Sequence, residues 1–82
     1  MNEMRIKIYS TPTCAYCAMA KEFLKENNIA FEDVNVAADR QALQEMVQKT
    51  GQMGVPVIQV DDKIMVGFNR KVLAELVGIK EN

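Results

Sequence analysis

The sequence predicts an α/β domain of order β-α-β-α-β-β-α, a four-stranded mixed sheet flanked by three helices. Three observations carry this. Short stretches rich in Ile, Val and Tyr interleave with segments whose apolar residues recur at helical spacing. Capping and stopping residues fall between them. The opening strand–helix–strand implies a right-handed crossover and a parallel first pair, whereas the last two strands follow so closely that they form an antiparallel hairpin. Together these give the layered α/β architecture.

Arg5-Ile6-Lys7-Ile8-Tyr9 alternates polar and apolar and reads as the first strand. Ser10-Thr11-Pro12-Thr13 ends it, with Thr13 expected to cap a helix that starts near Cys14 and runs to Glu26. Cys17, Ala20, Phe23, Leu24 and Asn27 share one face of that helix, Lys21, Glu22, Lys25 and Glu26 supply the wet face, and Asn27-Asn28 stops it. Phe31 to Val36 is the second strand, on an imperfect alternation. Asp39 caps a second helix from Arg40 to Lys49, with Leu43, Met46, Val47 and Thr50 on its apolar face and Gly51 as its stop. Val55 to Val60 is the third strand, Asp61-Asp62-Lys63 the turn, and Ile64-Met65-Val66 the fourth strand. Asn69 caps the last helix, whose apolar positions are Val72, Leu73, Leu76 and Val77 and whose stop is Gly78.

The chain has 82 residues, so residues 1–82 are expected to form one domain, and 49% apolar residues give it material for a core. Its net charge of -1 is mixed along the chain, with no basic stripe for nucleic acid and no basic amphipathic helix for a membrane surface. No apolar run approaches the roughly 20 residues of a membrane span, and Met1 to Arg5 shows no signal core. A cytoplasmic monomer is the expectation. Two cysteines and no histidine exclude a histidine base, a His-activated nucleophile and a Cys2His2 zinc site within one chain. What remains is chemistry that two neighbouring thiols can do.

Those thiols are Cys14 and Cys17, in Cys14-Ala15-Tyr16-Cys17, after a strand and at the start of a helix. The first turn of a helix has unpaired N–H groups and the positive end of the dipole. A thiolate there is stabilised, so Cys14 is expected to be the nucleophile. Cys17 lies one turn further in, on the same side, placed to attack a mixed disulfide on Cys14 and release the partner. The competing readings are two small buried residues, or a metal site of four thiolates shared between two chains. Pro56 opens a strand after Gly51-Gln52-Met53-Gly54. If that turn lies beside Cys14, Val55 can offer its backbone to an incoming chain; otherwise Pro56 is an ordinary turn proline.

Tyr9-Ser10-x-x-x-Cys14-x-Tyr16-Cys17, Gly54-Val55-Pro56 and Val66-Gly67-Phe68-Asn69 together resemble the glutaredoxin family of the thioredoxin fold, over about Met4 to Ile79. The resemblance implies a monomeric thiol–disulfide exchange enzyme with no bound cofactor, a cis bond before Pro56, and glutathione as co-substrate in a groove lined by Tyr16 and Val55. It also extends the substrate-binding set to Thr11, Pro56, Gly67, Phe68 and Asn69. Its partners would be glutathione and disulfide-containing or glutathionylated proteins. Some members lacking proline after the first cysteine, as here with Ala15, hold an iron–sulfur cluster between two chains, and some bacterial members carry selenocysteine at the first position.

The departures concern charge. Glutathione-using members often carry a lysine where Ser10 or Thr11 stands and an aspartate near Asn69. Each missing charge-assisted contact weakens binding by roughly 1–3 kcal/mol. Arg70, Arg40 or Lys49 are the candidate replacements. Gly67-Phe68 instead resembles the sister redoxins that serve ribonucleotide reductase and take electrons from thioredoxin reductase. Tyr16, in the catalytic loop itself, tips this reading toward glutathione. Met46 and Met65 are expected in the core, Met53 beside the active-site turn, and Lys21 on a solvated helix face. Phe68 is either a core plug or a rim residue.

Overall fold

The computed structural model describes residues 4–79; Met1–Glu3 and Lys80–Asn82, the ends of the expected 1–82 domain, lie outside the described residues. The elements are β1 (Ile6–Ser10), α1 (Ala15–Glu26), β2 (Glu32–Asn35), α2 (Arg40–Thr50), β3 (Val57–Val60), β4 (Lys63–Val66) and α3 (Arg70–Val77). They form one sheet in the order β2-β1-β3-β4. β1 runs parallel to β2, and the β1–β3 and β3–β4 pairs are antiparallel. The expected element order, parallel first pair and closing hairpin are all present.

Alternation along β1 divides the interior in two. Ile6 and Ile8 join Ile58 and Val60 of β3 under α1 and α3, where Ala20, Phe23, Leu24, Leu73, Ala74 and Val77 complete a cluster of ten buried residues. The other face gives Tyr9 and Val57 to α2, packed with Val36, Ala42 and Met46. Such two-sided burial suits a central strand between helical layers. Met46 is fully buried and Met65 packs against the larger cluster, as core methionines do.

Several sequence expectations need correction. Val72 is 39% exposed and Ala74 is buried in its place, because α3 is rotated so that Leu73, Ala74 and Val77 face the sheet. The second strand is shorter than Phe31 to Val36, although Val36 still donates its N–H to the Ser10 carbonyl. The third strand starts at Val57, after the proline that cannot donate to the ladder. Lys63 belongs to the fourth strand, opposite Val60, so the hairpin loop is Asp61-Asp62. Asp61 adopts a φ of 56°, and its carboxylate accepts from the Arg5 N–H at 2.9 Å, tying the hairpin to the start of β1.

On the α2 side the buried Tyr9 ring ends in an exposed ionic group. Its hydroxyl donates to Glu45 at 2.5 Å, and Lys7 and Lys49 reach the same carboxylate at 3.0 and 3.3 Å. The Tyr9 hydrogen bond first, then the two lysines, hold Glu45 down to about 2 from 4.5. The Glu45 side chain is 40% exposed, so water screens these pairs and each is worth at most about 1 kcal/mol.

The sign of the acid response follows. The unfolded chain takes up the Glu45 proton near 4.5 and the folded chain only near 2. This stabilisation is full above pH 4.5 and is lost as pH falls toward 2. Glu45→Gln should therefore lower the urea midpoint at pH 7 and make the fall between pH 7 and pH 3 shallower than in the unaltered protein. Parallel urea titrations at the two pH values read this directly.

Candidate active site

The sheet topology gathers four loops at one end. The C-terminal ends of β1 and β2 lie together because the pair is parallel, and the N-terminal end of β3 meets β1 there, since Tyr9 pairs with Val57. Val57 also pairs with Val66, which brings the end of β4 to the same edge. The segments 11–14, 36–39, 55–56 and 67–69 therefore converge, and all three helices begin at this end. The Asp39 carboxylate caps α2 and offsets the positive end of its dipole, whereas α1 and α3 have uncharged caps and no acidic residue in their first turns.

Cys14 is the N-cap of α1, not Thr13. Pro12 and Thr13 form a turn that closes with the Cys14 N–H on the Thr11 carbonyl at 3.3 Å, which leaves Cys14 extended at φ -92° and ψ 112°. Its sulfur accepts from the Cys17 N–H at 3.1 Å, and its carbonyl accepts from Ala18. The two cysteines form a disulfide, with their Cα atoms 5.2 Å apart. Cys14 is half-buried and Cys17 is fully buried, on the face of α1 that meets the sheet. The arrangement gives one sulfur that an outside reagent can reach and a second within bonding reach behind it.

The other expected site residues fall as follows. Tyr16 stands on the first turn of α1 with 62% of its surface exposed. Thr11 is half-buried in the loop before Cys14. The Val55–Pro56 bond is cis, Pro56 is fully buried, and Val55 is half-buried against the α2-side core. The Pro56 carbonyl accepts from the Gly67 N–H at 2.7 Å, which ties the proline turn to the loop before α3. Gly67 has φ +89°, a conformation that side-chain-bearing residues adopt at a cost. Phe68 packs on the larger core cluster with its ring 6.4 Å from that of Phe23, so it is chiefly a plug. Asn69 caps α3, its side-chain oxygen accepting from the Val72 N–H at 3.2 Å.

Lys21 does not lie on a free solvated face. It donates to Asp33 at 3.0 Å, and the buried Ser10 hydroxyl donates to the other oxygen of that carboxylate at 2.8 Å. Burial pushes the Asp33 carboxyl up, but the hydrogen bonds from Lys21 and Ser10 outweigh it and hold the group below its ordinary value. The sequence gives no local signal for this chain of contacts, because Asp33 reaches it only through the β1–β2 pairing. Of the three cations expected to replace missing charges, Lys49 is held by Tyr9, Glu45 and Gln59, and Arg70 lies over the Phe23 ring at 5.0 Å. Arg40 is exposed at the start of α2. Among the described residues no helix is long and apolar enough to cross a membrane.

A Cys-x-x-Cys pair at the start of the first helix of this sheet defines a thiol–disulfide oxidoreductase of the thioredoxin-like fold. A sequence profile described as glutaredoxin matches residues 6–65, and the chain belongs to the glutaredoxin family. An uncharacterized glutaredoxin-like 8.6 kDa protein in the rubredoxin operon of Clostridium pasteurianum is 53% identical over 72 residues, covering 88% of this chain and 96% of that one. The glutaredoxin-like protein NrdH of Lactococcus lactis is 39% identical over 74 residues, covering 87% and 97%. The solved NrdH-redoxin of Escherichia coli superimposes with a TM-score of 0.77 at 28% identity, covering 88% and 93% of the two chains.

Two outcomes are expected from this geometry. In the reduced protein a brief pulse of iodoacetamide should label Cys14 well before Cys17, which peptide mapping by mass spectrometry resolves. Gly67→Ala should lower stability by about 1–2 kcal/mol in urea titration, because alanine is strained at positive φ.

Proposed function

We propose that this protein is a dithiol reductase of protein disulfides that is itself recharged by a thioredoxin reductase. The observation that carries the chemistry is the pairing of a reachable Cys14, capping α1, with a buried Cys17 one turn behind it. The Cys14 thiolate attacks one sulfur of the substrate disulfide, and the other substrate sulfur leaves and takes up a proton. The Cys17 thiol then gives up its proton and attacks Cys14. This closes the Cys14–Cys17 disulfide and frees the second substrate thiol. Two electrons pass from the protein to the substrate, and a reductase returns two. The backbone of Val55 holds the substrate main chain beside Cys14, with Tyr16, Thr11, Gly67, Phe68 and Asn69 around it.

Two findings support the thioredoxin-reductase branch over glutathione. Two of the three candidate cations, Lys49 and Arg70, already hold other partners within the fold, and the exposed Arg40 is the one that remains to meet glutathione's two carboxylates. Two relatives support it as well: the Lactococcus protein matched over nearly its whole length carries the name NrdH, and the Escherichia coli NrdH-redoxin is described as having a thioredoxin-like activity profile. The glutathione reading is favoured by the exposed Tyr16 on the first turn of α1 and by relatives named glutaredoxin from Neisseria meningitidis and Escherichia coli, 36% and 30% identical over shorter stretches of the chain.

The deciding experiment is coupled reduction of a small glutathione mixed disulfide with two electron systems. We expect turnover with NADPH and thioredoxin reductase, and less than about a tenth of that rate with glutathione and glutathione reductase, since two lost charge-assisted contacts cost at least that much. Turnover with glutathione alone would overturn the proposal in favour of a glutathione-linked enzyme. Cys14→Ser should be inactive with either system, whereas Cys17→Ser should stop at the mixed disulfide on protein substrates, detectable as a mass adduct.

A further inference from the structure

The segment between α2 and the proline turn carries an arrangement that the two-thiol chemistry does not explain. Gln52 folds its carboxamide back onto Gly54. Its Oε1 accepts from the Gly54 N–H at 2.5 Å, and its Nε2 donates to the Gly54 carbonyl at 3.1 Å. One side chain thus occupies both backbone groups of a single residue, as the neighbouring residue of an antiparallel strand would. The same Nε2 donates to the Thr50 hydroxyl at 3.2 Å, and that hydroxyl donates to the Met46 carbonyl at 2.8 Å in the last turn of α2. A continuous run of hydrogen bonds therefore leads from a helix packed on the sheet to the residue preceding Val55.

A second observation comes from Gly54 itself. A Cβ placed there would lie 2.6 Å from Gln52 Oε1, with no backbone atom of another residue so close. The glycine leaves the space that the carboxamide fills. Gly51 and Gly54 would otherwise make this stretch one of the most freely articulated in the chain, and a substrate pairing with Val55 would have to order it on binding.

We infer that Gln52 is a positioning residue for peptide disulfides: by locking Gly54 it holds the Val55 backbone ready to pair with the substrate chain. The inference rests on the function proposed above and goes beyond it, because it assigns substrate selectivity to a residue that touches neither sulfur. It predicts a split between substrates. A disulfide within a polypeptide gains from an ordered Val55, whereas a small disulfide with no peptide groups does not.

The test uses the prereduced full-length protein in single turnover, so that no electron donor enters. Insulin serves as the peptide disulfide and 2-hydroxyethyl disulfide as the small one, with thiols trapped at intervals by a maleimide. Gln52→Ala should lower the second-order rate constant for insulin roughly three- to tenfold, the equivalent of a hydrogen bond or two, and leave that for 2-hydroxyethyl disulfide within about twofold. Gly54→Ala, whose methyl displaces the carboxamide, should give the same split, and it carries the test alone should Gln52→Ala fail to fold. Unchanged insulin rates in the folded variants would overturn the inference, as would rates that fall in equal proportion for both disulfides. Inactivity of the unaltered protein on both substrates would instead sink the functional proposal, and this inference with it.

Discussion

A five-residue strand with helices on both faces governs this molecule. β1 pairs on one side with β2 in parallel and on the other with β3 in antiparallel, and its alternate side chains feed separate cores. Once Ile6 and Ile8 are committed to α1 and α3, Tyr9 must face α2, since a shift of one residue would exchange the two sets. The chain leaves this strand at Ser10 and enters α1 four residues later at Cys14. The same pairing brings the proline turn and the β4–α3 loop to that end, so the convergence of the loops is a consequence of strand order.

Charge is distributed with a matching asymmetry. Lys7, Glu45 and Lys49 gather around the Tyr9 hydroxyl on the α2 side, and Lys21 with Asp33 joins α1 to β2. At the thiol end Asp39, Arg40 and Arg70 mark the starts of α2 and α3, but the caps of α1 and α3 are themselves neutral, a sulfur and an asparagine. Ion pairs of this kind add little stability when exposed. They do take long cationic side chains out of circulation, which bears on how the site meets a charged co-substrate.

Much of this was legible in the sequence, and the reasons differ by element. The order of strands and helices followed from periodicity, and Asp39, Asn69, Gly51 and Gly78 act as the caps and stops their residue types suggest. Cys14, Cys17 and Pro56 could be singled out because few residue types are used in those ways. The errors lie where a local rule met a tertiary demand. Thr13 is the better intrinsic cap, but the Pro12–Thr13 turn passes the position on to Cys14. Val72 has the apolar character of a core residue, but Ala74 is the residue that α3 turns into the core beside Leu73 and Val77. Contacts such as Ser10 with Asp33 join residues far apart in the chain and become visible only with the register in hand. The Gln52–Gly54 contact is local, yet a glutamine beside glycines gives no sign in sequence of which way its carboxamide turns.

The cap of α1 has an evolutionary consequence. Oxygen-bearing side chains are the strong helix caps, and α2 and α3 use them in Asp39 and Asn69. α1 instead begins on sulfur, a weak acceptor, and the atom that closes the helix is the atom that would do the chemistry. Selection for a sturdier fold and selection for electron transfer therefore pull this one position in opposite directions. A lineage released from its redox duty would be free to drift here toward serine or aspartate, gaining stability as it lost its trade.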